Sequence, residues 1–316
     1  MTATLPAGPE TVPTGPARGR AGTRAGALGR RARALYSFLG PSGTIAAAVL
    51  AAMLILAVGA GLFAPYDPNQ ASLLDAYQGP STAHLLGTDA IGRDVLSRLI
   101  YGSRTSLLGP ALVIACSTAV GVPLALIGAW YGGLVDAGAA RILDLVYALP
   151  GLLLAVITAA MFGPGLTPAV VALSIAYVPF LSRVVRAAAR QQRVSPYVDA
   201  LTVQGFGPWR IGARHILRNI APMVLGQSAV AFGYALLDLA GLSYLGLAVQ
   251  APTADWGVMV SDQDSMLRGH LLPVLVPGLL VVVCVMALTV LGARIAGERP
   301  ERHPLWNRRG KRAGAE

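Results

Sequence analysis

The sequence has little lysine, little cysteine and little charge of either sign. Charged residues make up 13% of its 316 residues and hydrophobic residues 54%, whereas an ordinary soluble domain has roughly 25% charged residues. Lysine occurs only at Lys311, so the phosphate-binding motif G-x-x-x-x-G-K-[ST] is excluded. Cys116 and Cys284 both lie in apolar runs and are interpreted as small hydrophobic residues rather than a disulfide or a metal site. These features exclude a self-contained ATPase of this type and indicate a membrane protein.

The net charge of +10 comes from basic residues, mostly arginines, in the two tails and in the connections between apolar runs. These arginines do not form one patch beside aromatic residues, so nucleic acid is not predicted as a partner. The apolar runs are instead predicted to lie in membrane lipid.

Six apolar runs are predicted to cross about 30 Å of hydrocarbon as helices. They are residues 44–64, 105–131, 142–162, 168–185, 221–249 and 271–295. If both chain ends lie inside the cell, the inner segments hold 21 of the 25 basic residues. Cytoplasmic loops of membrane proteins are enriched in arginine and lysine, so this arrangement predicts that both termini are cytoplasmic.

The connections carry further local signals. Asp94 is predicted to cap a short interfacial helix in which Ser97 and Arg98 lie opposite the apolar residues. Arg141 and Asp144 are three residues apart and are predicted to pair on one helix face.

The basic stretch 183–222 contains start and stop signals for a short helix. Ser195 is a candidate cap, and Pro196 suits the first helical position, where its missing N–H costs nothing. Asp199 falls in the first turn, where a negative charge meets the positive end of the helix dipole. Gly205 suits the left-handed position that closes a helix, and a second helix is predicted to start at Pro208. A short rigid helix of this kind fits a groove on a partner protein.

The same stretch resembles the coupling loop of the membrane subunits of binding-protein-dependent ABC importers. The family pattern is Glu-Ala-Ala, then Gly, then Ile-Leu-Pro, and the matching residues are Asp199-Ala200-Leu201, Gly205 and Ile216-Leu217-Arg218. The sequence therefore departs from the pattern at three positions. The resemblance implies that a side chain at the glycine position would block close packing on the ATPase.

Three further segments are similar to peptide-type importers: residues 87–104, 132–150 and 242–257. The likeness is to the permease subunit of dipeptide, oligopeptide and nickel importers that has an extra N-terminal span and a long first outer loop. It implies an all-α integral membrane protein with six transmembrane helices, the type I ABC importer permease fold, and cytoplasmic termini.

On this basis the chain divides into four parts. Residues 1–43 are predicted to be a disordered basic cytoplasmic tail, and residues 44–102 the N-terminal span with its outer loop. Residues 103–293 form the permease domain, with the coupling loop at 186–218, and residues 294–316 form a second basic tail.

The resemblance also implies partners: a second permease subunit in a heterodimer, two ABC ATPase subunits, and an extracytoplasmic substrate-binding protein. The chain itself would bind no cofactor and be no enzyme, because ATP and Mg are used by the ATPases. The residues expected to couple to the ATPases are Ser195, Pro196, Tyr197, Asp199, Ala200 and Gly205.

Three residues of the last outer loop, and one acid within a span, are further candidate functional residues. Asp255, Trp256 and Asp262 lie in the last outer loop and are expected on the binding-protein side; Trp256 is placed in the interfacial aromatic belt rather than on a partner. Asp238 lies within a span and shares a helical face with Tyr234. It is a candidate for the transport pathway, and a role in holding the helix bundle together is the favoured interpretation.

The predicted function is import of di- or oligopeptides across the cell membrane, and nickel is the alternative cargo. A proton-coupled transporter acting through Asp238 and a membrane enzyme using Asp238 and Asp144 are more distant alternatives. Neither explains the capped helix, and the two acids lie on different spans.

Overall fold

The structure is a computed structural model that describes residues 24–297, with side chains from residue 39 onward. Every regular element in this part of the chain is helical. The predicted tail residues 1–23 and 298–316 lie outside the described residues.

Twelve α-helices follow one another along the chain. They are α1 (Arg24–Val58), α2 (Ala60–Phe63), α3 (Val95–Tyr131), α4 (Gly133–Tyr147), α5 (Gly151–Phe162), α6 (Leu166–Arg193), α7 (Pro196–Val203), α8 (Pro208–Arg210), α9 (Leu217–Tyr244), α10 (Trp256–Val260), α11 (Gln263–Leu267) and α12 (Leu272–Ile295). A 3₁₀ turn lies at Leu73–Asp75, and a π-helix at Ile211–Ile216 joins α8 to α9.

Five helical segments are long and apolar enough to cross a membrane: Leu39–Val58, Val95–Tyr131, Leu166–Arg193, Pro208–Tyr244 and Leu272–Ile295. The pair α4 and α5 makes a sixth span if it is counted as one, but its halves are bent by 74°. The predicted third span, 142–162, corresponds to the end of α4 and the whole of α5, and the bend separates these two parts. Pro150 explains the break, because the residue before a proline is disfavoured in the helical conformation and Pro150 itself precedes α5.

Two further boundaries differ from prediction. The separate interfacial helix after Asp94 is wrong, because Val95–Tyr131 is one continuous helix that passes through Pro110 and Pro123. Residues 24–39 form the first part of α1, and a kink at Gly40, where φ is +68°, separates this part from the part that contains the first span. Alanine, arginine and leucine are frequent in residues 24–39 and are strong helix formers, which explains why a helix is possible there.

The buried core consists of three clusters along the bundle. One lies between α3, α5, α6 and α9, a second lies beneath α7, and a third joins α1, α3, α9, α10 and α12. The helices α9 and α12 approach closely at Gly226 and Gly292, where a Cβ on either residue would lie 2.5 Å from the backbone oxygen of the other. Small residues permit this close helix packing in membranes.

Candidate coupling surface and membrane cavity

The helix α7 begins at the predicted position, but the predicted cap by the Ser195 side chain is wrong. Pro196 occupies the first turn and Ser195 precedes it in an extended conformation, with φ −80° and ψ 141°. The Ser195 side chain accepts no capping hydrogen bond. Instead, its carbonyl oxygen accepts a hydrogen bond from the backbone N–H of Val198 at 2.9 Å.

The C-terminal end of α7 depends on one glycine. Gly205 has φ +82°, a left-handed conformation that favours glycine. Its N–H donates to the carbonyl of Thr202 (3.0 Å), and the N–H of Phe206 donates to the carbonyl of Leu201 (3.1 Å). These two bonds form a Schellman motif, which satisfies carbonyls at the helix end. The left-handed closure predicted for Gly205 is confirmed.

The two faces of α7 differ in burial. Val198 is buried, and Tyr197 and Leu201 pack against the cluster beneath the helix. Tyr197 also donates a hydrogen bond from its hydroxyl to Gln192 at 3.0 Å. The opposite face is exposed and consists of Asp199, Ala200, Thr202 and Val203. We call these four residues, together with Gly205, the coupling surface.

The helix α6 continues to Arg193 and carries a row of arginines that hold α4. Asp136 of α4 is buried and forms ion pairs with Arg186 and Arg190. A carboxylate removed from water needs such partners. The pairing links α4 to the α7 end of α6. This pairing was not predicted from the sequence, although an acidic residue beside a predicted span was a signal for it.

A second contact between α4 and α6 corrects a local prediction. Asp144 binds Arg183 of α6 at 2.7 Å, so the predicted pair with Arg141 is wrong. The Arg183 guanidinium also lies 4.3 Å from the centre of the Tyr147 ring. A partner on a neighbouring helix therefore replaces the expected one on the same helix.

An open cavity lies where α4 breaks into α5, and several of its lining side chains are exposed. Its volume is about 420 Å³. We call it the membrane cavity, and it is lined by Tyr147, Ala148, Leu149, Pro150, Gly151, Ala176, Tyr177, Phe180, Tyr234 and Asp238.

Asp238 is the only carboxylate among these lining residues. It is half-buried, and the hydroxyl of Tyr177 on α6 donates to its Oδ2 at 2.9 Å. The expected link to a neighbouring helix is therefore present, and the same side chain also faces the cavity. Asp144 has a different partner, Arg183, so the two acids share no hydrogen-bonded residue.

Near the N-terminal end of α3, the side chains of Asp255 and Trp256 are buried inside the protein. Asp255 caps α10 by accepting hydrogen bonds from the N–H groups of Gly257 and Val258, and it also accepts one from Ser106. Burial raises the pKa of Asp255 above its ordinary value, and the hydrogen bonds, with that from Ser106 the largest, partly oppose this rise.

The indole of Trp256 is 1% exposed and donates to the carbonyl of Leu99 at 3.0 Å. Its expected place in an interfacial belt is therefore wrong. The loop folds back between the helices, so neither Asp255 nor Trp256 presents its side chain on the protein surface. Asp262 is half-buried and caps α11 through Ser265.

Arg98 connects the loop after α2 with the loop between α9 and α10. It was not identified from the sequence as an internal residue. Its side chain is 2% exposed and donates to the carbonyls of Pro68 and Pro252, at 3.1 and 3.3 Å, with Asp89 3.7 Å away. The sequence predicted only that Arg98 lies opposite the apolar residues of its helix, and the structure places it inside the protein. Asp94 caps this helix as predicted, because its carboxylate accepts a hydrogen bond from the N–H of Ser97 at 2.8 Å.

The described residues contain no group of three His, Cys, Asp or Glu side chains placed to hold a metal ion. Both cysteines are free thiols; Cys116 is exposed and Cys284 is buried.

Comparison with known proteins places this architecture among transport proteins. Residues 121–297 match the family described as "Binding-protein-dependent transport system inner membrane component". The chain is 40% identical over 248 residues to the dipeptide transport system permease protein DppC of Escherichia coli, covering 76% of this chain and 82% of that protein. It is 33% identical to the protein of that name from Alkalihalophilus pseudofirmus, with 77% and 80% covered.

A solved structure shares the fold. The chain superposes on a chain of the structure titled "Inward facing conformations of the MetNI methionine ABC transporter" with a TM-score of 0.52 and 18% identity. The match covers 63% of this chain and 95% of that one. The expected type I importer permease fold is thereby confirmed.

Proposed function

The chain belongs to the binding-protein-dependent transport system inner membrane components, and from this we propose that it carries di- or oligopeptides across the cytoplasmic membrane. It is a multi-pass permease subunit, and ATP hydrolysis takes place in separate ATPase subunits. An ATPase and a substrate-binding protein are therefore its partners. The proton-coupled transporter and the membrane enzyme are not retained.

The substrate class rests on the relatives. Those from Escherichia coli and Alkalihalophilus pseudofirmus are named as dipeptide permeases, which favours a peptide over nickel. The finer assembly that we propose has one copy of this chain, a second and different permease subunit, and two ATPases that use ATP and Mg.

We place the coupling surface in a groove of one ATPase, on the cytoplasmic side. The observation that carries this proposal is the construction of α7. It starts at Pro196 and ends in the Schellman motif at Gly205, its inner face packs against the core, and its outer face is exposed. Movement of such a helix is transmitted directly to α6 before it and to the π-helix and α9 after it. ATP-driven closure of the ATPases would thereby switch the bundle between its two states.

Gly205 provides the sharpest test of this coupling. A Cβ at Gly205 would meet no atom of this chain within 4 Å, so only the left-handed backbone restricts a substitution within the subunit. Asparagine tolerates that conformation better than most residues. We expect Gly205→Asn to leave the subunit folded and in the membrane but to abolish uptake of radiolabelled L-alanyl-L-alanine, because the added side chain holds the ATPase away.

The matched control is Gln204→Asn, which adds no bulk at the neighbouring exposed position. It should retain uptake. Normal uptake by Gly205→Asn would show that no close contact forms at this glycine. Absence of uptake by the unsubstituted transporter, assayed with its binding protein, would count against a peptide substrate.

A further inference from the structure

The membrane cavity has a chemistry that the coupling role of this subunit does not use. Its volume of about 420 Å³ falls within the range of roughly 300–1,000 Å³ that is typical of ligand pockets. It lies between α6, α9 and the break between α4 and α5, away from the coupling surface. A small molecule in this cavity would contact three elements of the bundle at once.

The polar groups of the cavity favour a cation. Asp238 supplies the only carboxylate among the lining residues, and the aromatic side chains of Tyr147, Tyr177, Phe180 and Tyr234 also line the cavity. Aromatic faces attract cations through their quadrupole, as does a carboxylate through its charge. Tyr234 lies one helical turn before Asp238, so both side chains project from the same face of α9.

Asp238 has an acceptor position left over. Tyr177 donates to one carboxylate oxygen, Oδ2, and no other described residue donates to Asp238. The nearby arginine that lies against Tyr147, Arg183, is already paired with Asp144. A carboxylate within a membrane span is costly without a compensating charge, and none of the described residues supplies one. The second oxygen is therefore free to accept a hydrogen bond from a ligand.

We infer that Asp238, together with Tyr177 and Tyr234, binds the α-ammonium group of a peptide as the peptide passes through the cavity; this inference rests on the proposed function. Every unmodified peptide carries this group whatever its side chains are, and the remaining cavity walls are mainly apolar. The site would thus hold the common end of many peptides, and it would disfavour their carboxylate end.

The test measures binding to the permease directly, without the binding protein. In the complete transporter, Cys116 and Cys284 are replaced by alanine, and Leu149, which lines the cavity and is 48% exposed, is replaced by cysteine. The rate at which a soluble maleimide labels Leu149→Cys is then followed in detergent without nucleotide. L-alanyl-L-alanine and its C-terminal amide should slow the labelling, whereas N-acetyl-L-alanyl-L-alanine should not.

The second part of the test substitutes Asp238. Asp238→Asn should raise the concentration of L-alanyl-L-alanine that halves the labelling rate by about tenfold, because a charge-assisted hydrogen bond is lost. Asp238→Glu should retain most of the protection, and Asp67→Asn, at an exposed acid of the outer connection, should retain all of it.

The outcomes separate this site from the proposed function. Equal protection by the acetylated peptide, or unchanged protection in Asp238→Asn, would overturn the inference. So would an absence of protection in a transporter that still takes up L-alanyl-L-alanine. If that uptake is itself absent, the proposed function fails and the inference fails with it.

Discussion

At the scale of single residues, one indole is central to the packing at the end of the protein opposite α7. Trp256 is 1% exposed, its N–H donates to Leu99, and its ring lies against Gly102, where a Cβ would come within 3.2 Å of the indole. The indole thus fixes the last outer loop against the start of α3. Stability, rather than contact with a partner, is the role that this burial indicates.

Substitution of Trp256 should therefore lower stability. We expect Trp256→Ala to cost about 3–5 kcal/mol through the cavity that it leaves. Trp256→Phe keeps most of the volume and should cost less, about 1 kcal/mol for the lost hydrogen bond plus a smaller packing loss. Denaturant unfolding of the purified subunit measures both.

The contrary result would be an unchanged unfolding midpoint in Trp256→Ala together with weaker stimulation of ATP hydrolysis by the binding protein. That result would indicate that Trp256 contacts a partner, which is the role that the sequence favours less. Met266→Ala is a suitable control on the same loop, because this side chain is 55% exposed and its loss should change stability little.

At the scale of elements, two contacts between α4 and α6 differ in strength because they differ in burial. The carboxylate of Asp136 is 6% exposed, while that of Asp144 is 63% exposed and its partner Arg183 is 45% exposed. Exposed ion pairs contribute little, since water and salt screen both charges. The buried acid should therefore be the stronger connection between the two helices.

The prediction compares two identical substitutions. Asp136→Asn removes the only acid paired with Arg186 and Arg190 in the described residues and should cost about 2–3 kcal/mol, less than a fully buried pair because Arg190 is half exposed. Asp144→Asn should cost about 1 kcal/mol or less. The two costs follow from the unfolding midpoints of the purified variants in one detergent, and equal costs would show that burial does not distinguish these contacts.

The elements also show what the sequence can and cannot predict. Hydropathy located the apolar spans, and the proline and glycine at 196 and 205 located α7, because both signals are local. The same signals placed helix ends at the first polar residues. In the structure α6 continues to Arg193 through alanine, arginine and glutamine residues, which are strong helix formers, and its arginines pair with Asp136 and Asp144, which are distant in sequence.

The coupling surface and the membrane cavity also differ in how far the sequence predicts them. The capped helix of the coupling surface was predictable, because its signals lie within eleven residues of the chain. The cavity was not, since the bond between Tyr177 and Asp238 depends on how α6 and α9 pack, although Pro150 was a local signal for the break at 148–150. Burial of Arg98 and Trp256 was missed for a related reason. Hydropathy assigns a polar or amphipathic residue near a span to the interface, whereas carbonyls of other segments accept their hydrogen bonds here.

At the scale of the whole molecule, the topology depends on whether the bent pair α4 and α5 crosses the membrane. Between Leu74 and Val194 the chain contains α3, this pair and α6. If the pair crosses, three crossings separate the two residues and they face opposite sides. If it re-enters instead, only two crossings separate them and they face the same side. The bend of 74° makes both arrangements geometrically possible.

We expect three crossings, because the distribution of arginines places the loop before α7 inside the cell. Leu74 and Val194 are 96% and 80% exposed, so a cysteine at either position should be reactive. In a background with Cys116 and Cys284 replaced by alanine, a membrane-impermeant maleimide applied to intact spheroplasts should label Leu74→Cys. It should label Val194→Cys only after the membrane is permeabilised. Labelling of both from outside would mean that α4 and α5 form a re-entrant pair, and the coupling surface would then lie on the wrong side of the membrane to meet a cytoplasmic ATPase.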